Sequence, residues 1–248
     1  MDKALIVTGA SRGIGAATAR LAAAAGYKVC LNYRSGKAEA EEIAQEIQSA
    51  GGRAIAVGAD VAREEDILRL FETCDRELGP LGGLVNNAGI TGPVCRVAEI
   101  DRDSLRQVLE VNVVGAFLCA REAVKRLSTR NGGPGGAIVN VSSRASELGG
   151  ADEWVHYAAS KGALDSLTAG LAKEVAGEGI RVNAVNPGLI DTEIHARAGI
   201  PERVERLLPG VPLGRMGSAE EVAETILWLL SDAASYITGI TVPIGGGR

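Results

Sequence analysis

The chain has 248 residues, 46% of them hydrophobic and 23% charged, with 33 glycines and a formal net charge of −5. That length is ample for a buried core, and the acidic balance argues against a surface built for nucleic acid or an anionic membrane. No run reaches the roughly 18 continuous apolar residues of a membrane span, and the apolar part of the opening "MDKALIVTGA" is too short for a secretory leader, so a cytoplasmic protein is expected.

Apolar runs of strand length occur at Ala4–Thr8, Lys28–Tyr33, Arg53–Val57, Gly83–Asn86, Ala137–Val141, Arg181–Val185 and Ile237–Val242. Most alternate with helical patterns at Ile14–Ala25, Lys37–Ala50, Glu64–Leu78, Arg102–Leu127, Glu153–Ala176 and Ala219–Leu230. This alternation predicts an α/β fold, a doubly wound parallel sheet of about seven strands with helices on both faces. No linker or repeat interrupts it, so residues 1–248 read as one domain, with "NGGPGG" (Asn131–Gly136) as an internal loop.

The first strand-to-helix junction reads "TGASRGIG", Thr8–Gly15. Glycines 9, 13 and 15 permit a tight turn and close backbone approach to a pyrophosphate, and the helix N-terminus presents unpaired N–H groups. Gly9, Ser11, Arg12, Gly13, Ile14 and Gly15 are therefore candidate dinucleotide-binding residues. The second strand ends in Asn32, Tyr33 and Arg34, without the carboxylate that would bind the ribose hydroxyls of NAD. Arg34 and Arg12 suit a 2′-phosphate, so NADP(H) is expected over NAD, with Tyr33 beside it. After the third strand, Asp60 either accepts from the adenine amino group, with Val61 against the ring, or caps the next helix. Asn87, Ala88 and Gly89 end the fourth strand, where ligands gather in open parallel sheets.

In "YAASKGALDSL", Tyr157 and Lys161 stand four apart on one helical face. An ammonium near a phenol lowers its pKa; a drop of about 3 units corresponds to about 4 kcal/mol and yields a proton donor or acceptor near neutral pH. Ser142 and Ser143 precede them at a strand end, pointing to opposite sides. The cysteines Cys30, Cys74, Cys95 and Cys119 have no metal or disulfide spacing. His156 and His195 lack a supporting carboxylate cluster, so no metal is expected.

Thr8–Gly15, Asn86–Gly89, Asn112, Ser143, Tyr157, Lys161 and "NPG" (Asn186–Gly188), in this order, resemble the single-domain type of the short-chain dehydrogenase/reductase superfamily. "AIVNVSS" and "YAASKGALDSLT" are similar to its bacterial branch of glucose 1-dehydrogenases and 3-oxoacyl-carrier-protein reductases. The resemblance implies hydride transfer between a nicotinamide dinucleotide and a carbonyl or secondary alcohol. Tyr157 would be the acid/base. Lys161 would lower its pKa and hold the nicotinamide ribose. Ser143 would bond the substrate oxygen, and Asn112 would position a water. The family serine usually lies about 13 positions before the tyrosine, where Arg144 stands, so one extra loop residue is inferred; Ser142 remains the alternative. Pro187 and Gly188 would lie beneath the nicotinamide, Ile190 would meet the carboxamide with its backbone, and Thr192 would contact it or a phosphate. Residues from His195 to about Leu213, within a broader span of about 190–213, would form a substrate lid.

Where the family commonly has an acidic residue near the C-terminus, Ile244 stands here. The preceding "AEEVAETILWLLSDAASYITG" would join a subunit interface in a homotetramer or homodimer, or Trp228, Leu229 and Leu230 would simply face the core. "GGADEWV" and "ITGPVCRV" are expected to shape the pocket, and Glu153, Trp154 and His156 favour a small polar ketone, aldehyde or sugar. The rivals are a carrier-protein reductase, docking through Arg121, Lys125, Arg126 and Arg130, and a non-catalytic NADP sensor or scaffold.

Overall fold

Strand β1 (Ala4–Val7) carries the plan of the sheet. All four residues are fully buried; Ala4 and Ile6 join one layer of helices, Leu5 and Val7 the other. A strand covered on both faces has no polar side to offer, hence the continuous apolar run. The computed structural model describes residues 3–193 and 202–248. Its sheet adds β2 (Lys28–Tyr33), β3 (Ala54–Gly58), β4 (Leu81–Asn86), β5 (Gly136–Val141), β6 (Ile180–Pro187) and β7 (Thr241–Ile244). All pairings are parallel, in the order β3-β2-β1-β4-β5-β6-β7. The order reverses between β1 and β4, so a crevice opens at their carboxyl ends.

One layer holds α1 (Gly13–Ala24), α2 (Lys37–Ser49) and a late helix at Ala219–Leu230. The opposite layer holds α3 (Glu64–Leu78), α5 (Gly115–Leu127) and α7 (Val155–Val175). Helix α4 (Arg102–Leu109) starts on Asp101, which accepts from the Ser104 amide at 2.8 Å. Short α6 (Ala145–Leu148) and α8 (Arg203–Leu207) complete the set, and Ala219–Leu230 is α9. Ser218 and Glu221 form a reciprocal capping box at the start of α9.

Two expectations shift. The single helix expected at Arg102–Leu127 is broken by a π-helical turn, Glu110–Val114, between α4 and α5. The turn holds buried Asn112, and α5 begins on Gly115, where a Cβ would stand 2.6 Å from the Val61 carbonyl oxygen. The last strand begins at Thr241, not Ile237. The chain first ties itself to β6 through Thr238, whose hydroxyl accepts from the Val182 amide, and through Gly239, whose amide donates to the Val182 carbonyl. Cys30, Cys74 and Cys119 are buried core thiols, Cys95 is half-buried, and all four are free. No described helix is long and apolar enough to cross a membrane.

Candidate active site

A cleft of about 580 Å³ lies at the carboxyl ends of β1 to β4. Its floor is the turn from β1 into α1. Gly13 has φ of +52°, a conformation side chains resist, and a Cβ there would reach within 3.4 Å of Thr192 Cγ2 on the opposite wall. Gly15 admits no side chain, since its Cβ would stand 2.5 Å from both Asn87 Nδ2 and the Gly9 carbonyl. The loop is clasped from two strands. Asn87 Nδ2 donates to the Thr8 and Gly9 carbonyls at 2.8 and 3.0 Å. Asn32 accepts from the Gly9 amide at 3.2 Å and donates to the Ala59 carbonyl at 2.9 Å. The clasp role of Asn32 was not foreseen; its signal is a buried asparagine inside an apolar strand, which must find partners.

Gly9, Ser11, Arg12, Gly13, Ile14, Tyr33, Arg34, Asp60, Val61, Asn87, Ala88, Gly89 and Thr192 all line the cleft. Arg12 donates to the Ser35 carbonyl and pairs with Glu193, both at 3.4 Å. Arg34 is exposed and makes no hydrogen bond or ion pair among the described residues. Asp60 is partly committed to its own turn: one carboxylate oxygen accepts from the Ala62 amide at 3.0 Å, and α3 starts after Arg63 with no side-chain cap. These features fit a dinucleotide, with a backbone cradle at its centre and two arginines at the β2 end.

Pro187, Gly188 and Ile190 lie outside the cleft lining. Pro187 accepts from the Arg144 amide and Gly188 donates to the Ile244 carbonyl, both at 2.9 Å, fixing the turn between β5 and β7. Leu189 and Asp191 bond Gly217 on either side of Ile190, which points the Ile190 N–H and C=O away from that bridge. Ile244 packs on the core with its side chain and serves the turn with its carbonyl. His195 and the first part of the expected lid lie outside the described residues.

Beyond Gly89 the polar groups converge. A Cβ on Gly89 would stand 3.3 Å from both Lys161 Nζ and Asn112 Oδ1, so this glycine is the seam between the cleft and the residues behind it. Asn112 is fully buried. It accepts from the Ile90 amide and donates to the Ile90 carbonyl, each at 2.8 Å, and donates to Ser160 Oγ at 2.9 Å. Ser143 and Ser142 diverge as adjacent residues at a strand end must. Ser143 lies on the Tyr157 side, where it lowers the phenol, and accepts from the Ala145 amide at 3.1 Å, whereas Ser142 donates to the Lys161 carbonyl at 3.0 Å.

The electrostatics differ from expectation. Lys161 is 3% exposed; its ammonium donates to the Val141 carbonyl at 2.8 Å and stands 5.6 Å from the Tyr157 ring centroid. Burial pushes it down to about 8, against a smaller upward pull from Asp165. Burial likewise pushes the Tyr157 phenol up. The opposing influences are the Ser143 hydrogen bond and then the charge of Arg203, not Lys161. The i, i+4 spacing brings lysine to the ring, but the Val141 carbonyl claims its ammonium.

Three residues expected to greet a sugar are engaged elsewhere. Glu153 pairs with Arg203 at 2.8 Å and with Arg206. Trp154 is buried beneath the Arg203 guanidinium, 4.4 Å from the ring centroid. His156 Nε2 bonds the Thr91 carbonyl at 2.9 Å. The basic residues proposed for carrier docking are also paired. Arg121 meets Glu64, Arg126 meets Asp75, Arg130 meets Glu178, and Glu122 bridges Arg121, Lys125 and Arg126. No group of three or more potential metal ligands occurs among the described residues. On α9, Leu229 and Leu230 face the core while Trp228 is 42% exposed.

A parallel sheet with this strand order, a glycine turn and a cleft at the reversal defines a Rossmann-type nucleotide-binding protein. A family model described as enoyl-(acyl carrier protein) reductase matches residues 9–248. The chain is 52% identical over 243 residues to "Uncharacterized oxidoreductase YgfF" of Escherichia coli K12, covering 98% of each. It is 40% identical over 248 residues to a cis-4-hydroxycyclohexanecarboxylate dehydrogenase of Sinomonas cyclohexanicum, covering 99% of this chain and 96% of that one. A crystal structure of a dehydrogenase/reductase from Sinorhizobium meliloti 1021 superposes with a TM-score of 0.91 at 34% identity, covering 99% and 94%. The chain belongs to the short-chain dehydrogenase/reductase family, oxidoreductases that use NAD(P) and act on CH–OH groups.

Proposed function

We propose that this protein is an NADP(H)-dependent oxidoreductase interconverting a ketone or aldehyde and an alcohol, with Ser143, Tyr157, Lys161 and Asn112 at the reacting end. The observation that carries the reading is the seam at Gly89, where buried Lys161 and Asn112 close on the cleft and the Lys161 ammonium lies beside the Tyr157 ring. When bound, the dinucleotide supplies or accepts the hydride. Ser143 and Tyr157 together hold the substrate oxygen, and the phenol gives it a proton as the carbonyl becomes an alcohol, or takes one back in oxidation. Lys161, beside the Tyr157 ring, would hold a ribose hydroxyl, and Asn112 ties Ile90 to Ser160. Arg12 and Arg34 would hold the 2′-phosphate, Asp60 and Val61 the adenine, and the turn Pro187–Gly188 with Ile190 and Thr192 the nicotinamide end.

A carrier-protein thioester is the rival substrate, favoured by the description of the matching family model. The pairing of Arg121, Lys125, Arg126 and Arg130 with carboxylates leaves little free positive surface for an acidic carrier, so a small free molecule is preferred. We expect a cytoplasmic homotetramer or homodimer, with Trp228 available to an interface. The test is a panel of carbonyls and alcohols followed at the nicotinamide absorbance, with acetoacetyl thioester included. Turnover of free carbonyls is expected, and Tyr157→Phe should bind NADPH normally while losing at least 1,000-fold in turnover, of order 10³ for a lost acid/base. A near-normal rate in that variant would remove the proposed acid/base.

A further inference from the structure

Three distant parts of the chain meet at the residue that follows Ser143. The Arg144 amide donates to the Pro187 carbonyl at 2.9 Å, joining the end of β5 to the turn after β6. The Arg144 guanidinium donates through Nε to the main-chain oxygen of Arg248 at 2.9 Å and through Nη1 to Glu147. Its side chain is only 18% exposed.

The segment Gly245–Arg248 is seated against the same turn. The Gly188 amide donates to the Ile244 carbonyl at 2.9 Å, and a Cβ on Gly188 would stand 2.8 Å from Gly245 Cα. A Cβ on Gly245 would stand 2.8 Å from the Arg248 main-chain oxygen and 3.4 Å from Arg144 Cγ, so neither glycine leaves room for a side chain beside the arginine stem. The Leu213 amide donates to the Gly246 carbonyl at 3.0 Å, which brings the end of the expected lid onto this segment. From the other side, Asn186 donates to Ser146 Oγ at 3.3 Å and to Glu147 at 3.4 Å. Ser146 in turn holds the Ser143 carbonyl with its hydroxyl at 2.8 Å and its amide at 3.0 Å.

A pair between Arg144 and Glu147 alone, three apart on α6, would contribute little. The Nε bond is different: it spans 104 residues, starts from a charged donor largely withdrawn from water, and closes a ring through Arg248, Gly245, Gly188 and Pro187 back to Arg144. The planar guanidinium serves the two acceptors from two fixed nitrogens, which a single ammonium cannot reproduce.

We propose that Arg144 is a positioning residue, whose tie to Gly245–Arg248 across the Pro187–Gly188 turn fixes the Ser143 hydroxyl relative to the nicotinamide. This rests on the reading of Ser143 as the residue that holds the substrate oxygen and of Pro187–Gly188 as the nicotinamide turn. Arg144 touches neither reactant in this scheme; it acts through the two segments that do.

The test pairs kinetics with hydrogen exchange in the enzyme saturated with NADP⁺. On a carbonyl that the wild type reduces, Arg144→Met should lower kcat about 30-fold, in line with the roughly 100-fold cost of a 1 Å misplacement, with KM and the Kd for NADPH changed less than about threefold. The isotope effect on kcat with NADPH deuterated at the transferred position should rise, because hydride transfer becomes the slow step. Arg144→Lys should recover part of the rate. Gly245→Val, which forces the tie apart from its far end and leaves Arg144 in place, should repeat the kinetic pattern and covers a failure of Arg144→Met to fold. In the exchange arm, the Gly188 and Arg248 amides of Arg144→Met should exchange about 10-fold faster, with those of Leu5–Val7 unchanged. A near-normal kcat in Arg144→Met, a loss of rate matched by an equal loss of NADPH binding, or unaltered exchange at Gly188 and Arg248 overturns the proposal. Faster exchange at those amides in an enzyme whose wild type turns over no compound would count against the oxidoreductase reading while sustaining the tie.

Discussion

The two ends of the site are built by different physics. At the dinucleotide end, backbone does the work: a glycine turn is clasped by Asn32 and Asn87, and the side chains that matter mostly hold the main chain in place. Beyond Gly89, side chains do it: Lys161 lies buried beside the Tyr157 ring, and Arg203, paired with Glu153, acts on the phenol. Backbone cradles tolerate little local variation but accept a common ligand shape. Side-chain clusters can be exchanged residue by residue, which is where a family diversifies its substrates.

After Tyr157→Phe, the next largest effect tests the charged end. Lys161→Met should cut turnover about 100-fold or more. It should also stabilise the fold. The folded lysine, at about 8 against an ordinary 10.5, is depressed by burial. Between pH 8 and 10.5 the unfolded chain keeps a proton the folded chain lacks, so this group favours folding as pH rises through that window and costs about 3 kcal/mol near neutrality. Even after loss of the bond to Val141, a rise in Tm of about 2–4 °C at pH 7 is expected, shrinking toward pH 10. A lower Tm at pH 7 would mean the ammonium is better solvated than its burial implies. Arg34→Asp should shift the ratio of kcat/KM for NADPH over NADH by about 30-fold toward NADH, through repulsion of the 2′-phosphate. Unchanged selectivity would leave Arg12 as the whole determinant.

At the backbone end, Asn32→Leu strands the Gly9 amide and the Ala59 carbonyl. A loss of about 2 kcal/mol in urea unfolding is expected, together with weaker dinucleotide binding measured by fluorescence titration. If stability falls and binding does not, the clasp is structural only. The smallest effect lies away from both ends. Ser218→Ala should cost about 1 kcal/mol of stability through the α9 cap and leave the kinetics unchanged.

Much of the frame was legible in the residue pattern, because strands buried on both faces write themselves as apolar runs and caps mark helix ends. Glu64–Leu78 and Ala219–Leu230 begin and end where expected. The π turn at Glu110–Val114 was not legible, since an added residue inside an apolar helix leaves its periodicity nearly intact. The cleft lining followed from strand ends, a property of topology. The Arg203–Trp154 stack did not, because the two residues lie on separate segments and only the folded chain brings them together. The Tyr157–Lys161 spacing correctly brought two groups to one face, but spacing says nothing of the Val141 carbonyl that competes for the ammonium.

The π turn makes the stretch from Arg102 to Leu127 a fixed-length gauge. Each residue advances a helix by about 100°. Removing or inserting one there would swing a side chain toward Val61 in place of Gly115, lift Cys119 out of the core and drive the exposed Phe117 toward it. Exposed positions along this stretch can change one at a time, but its residue count cannot.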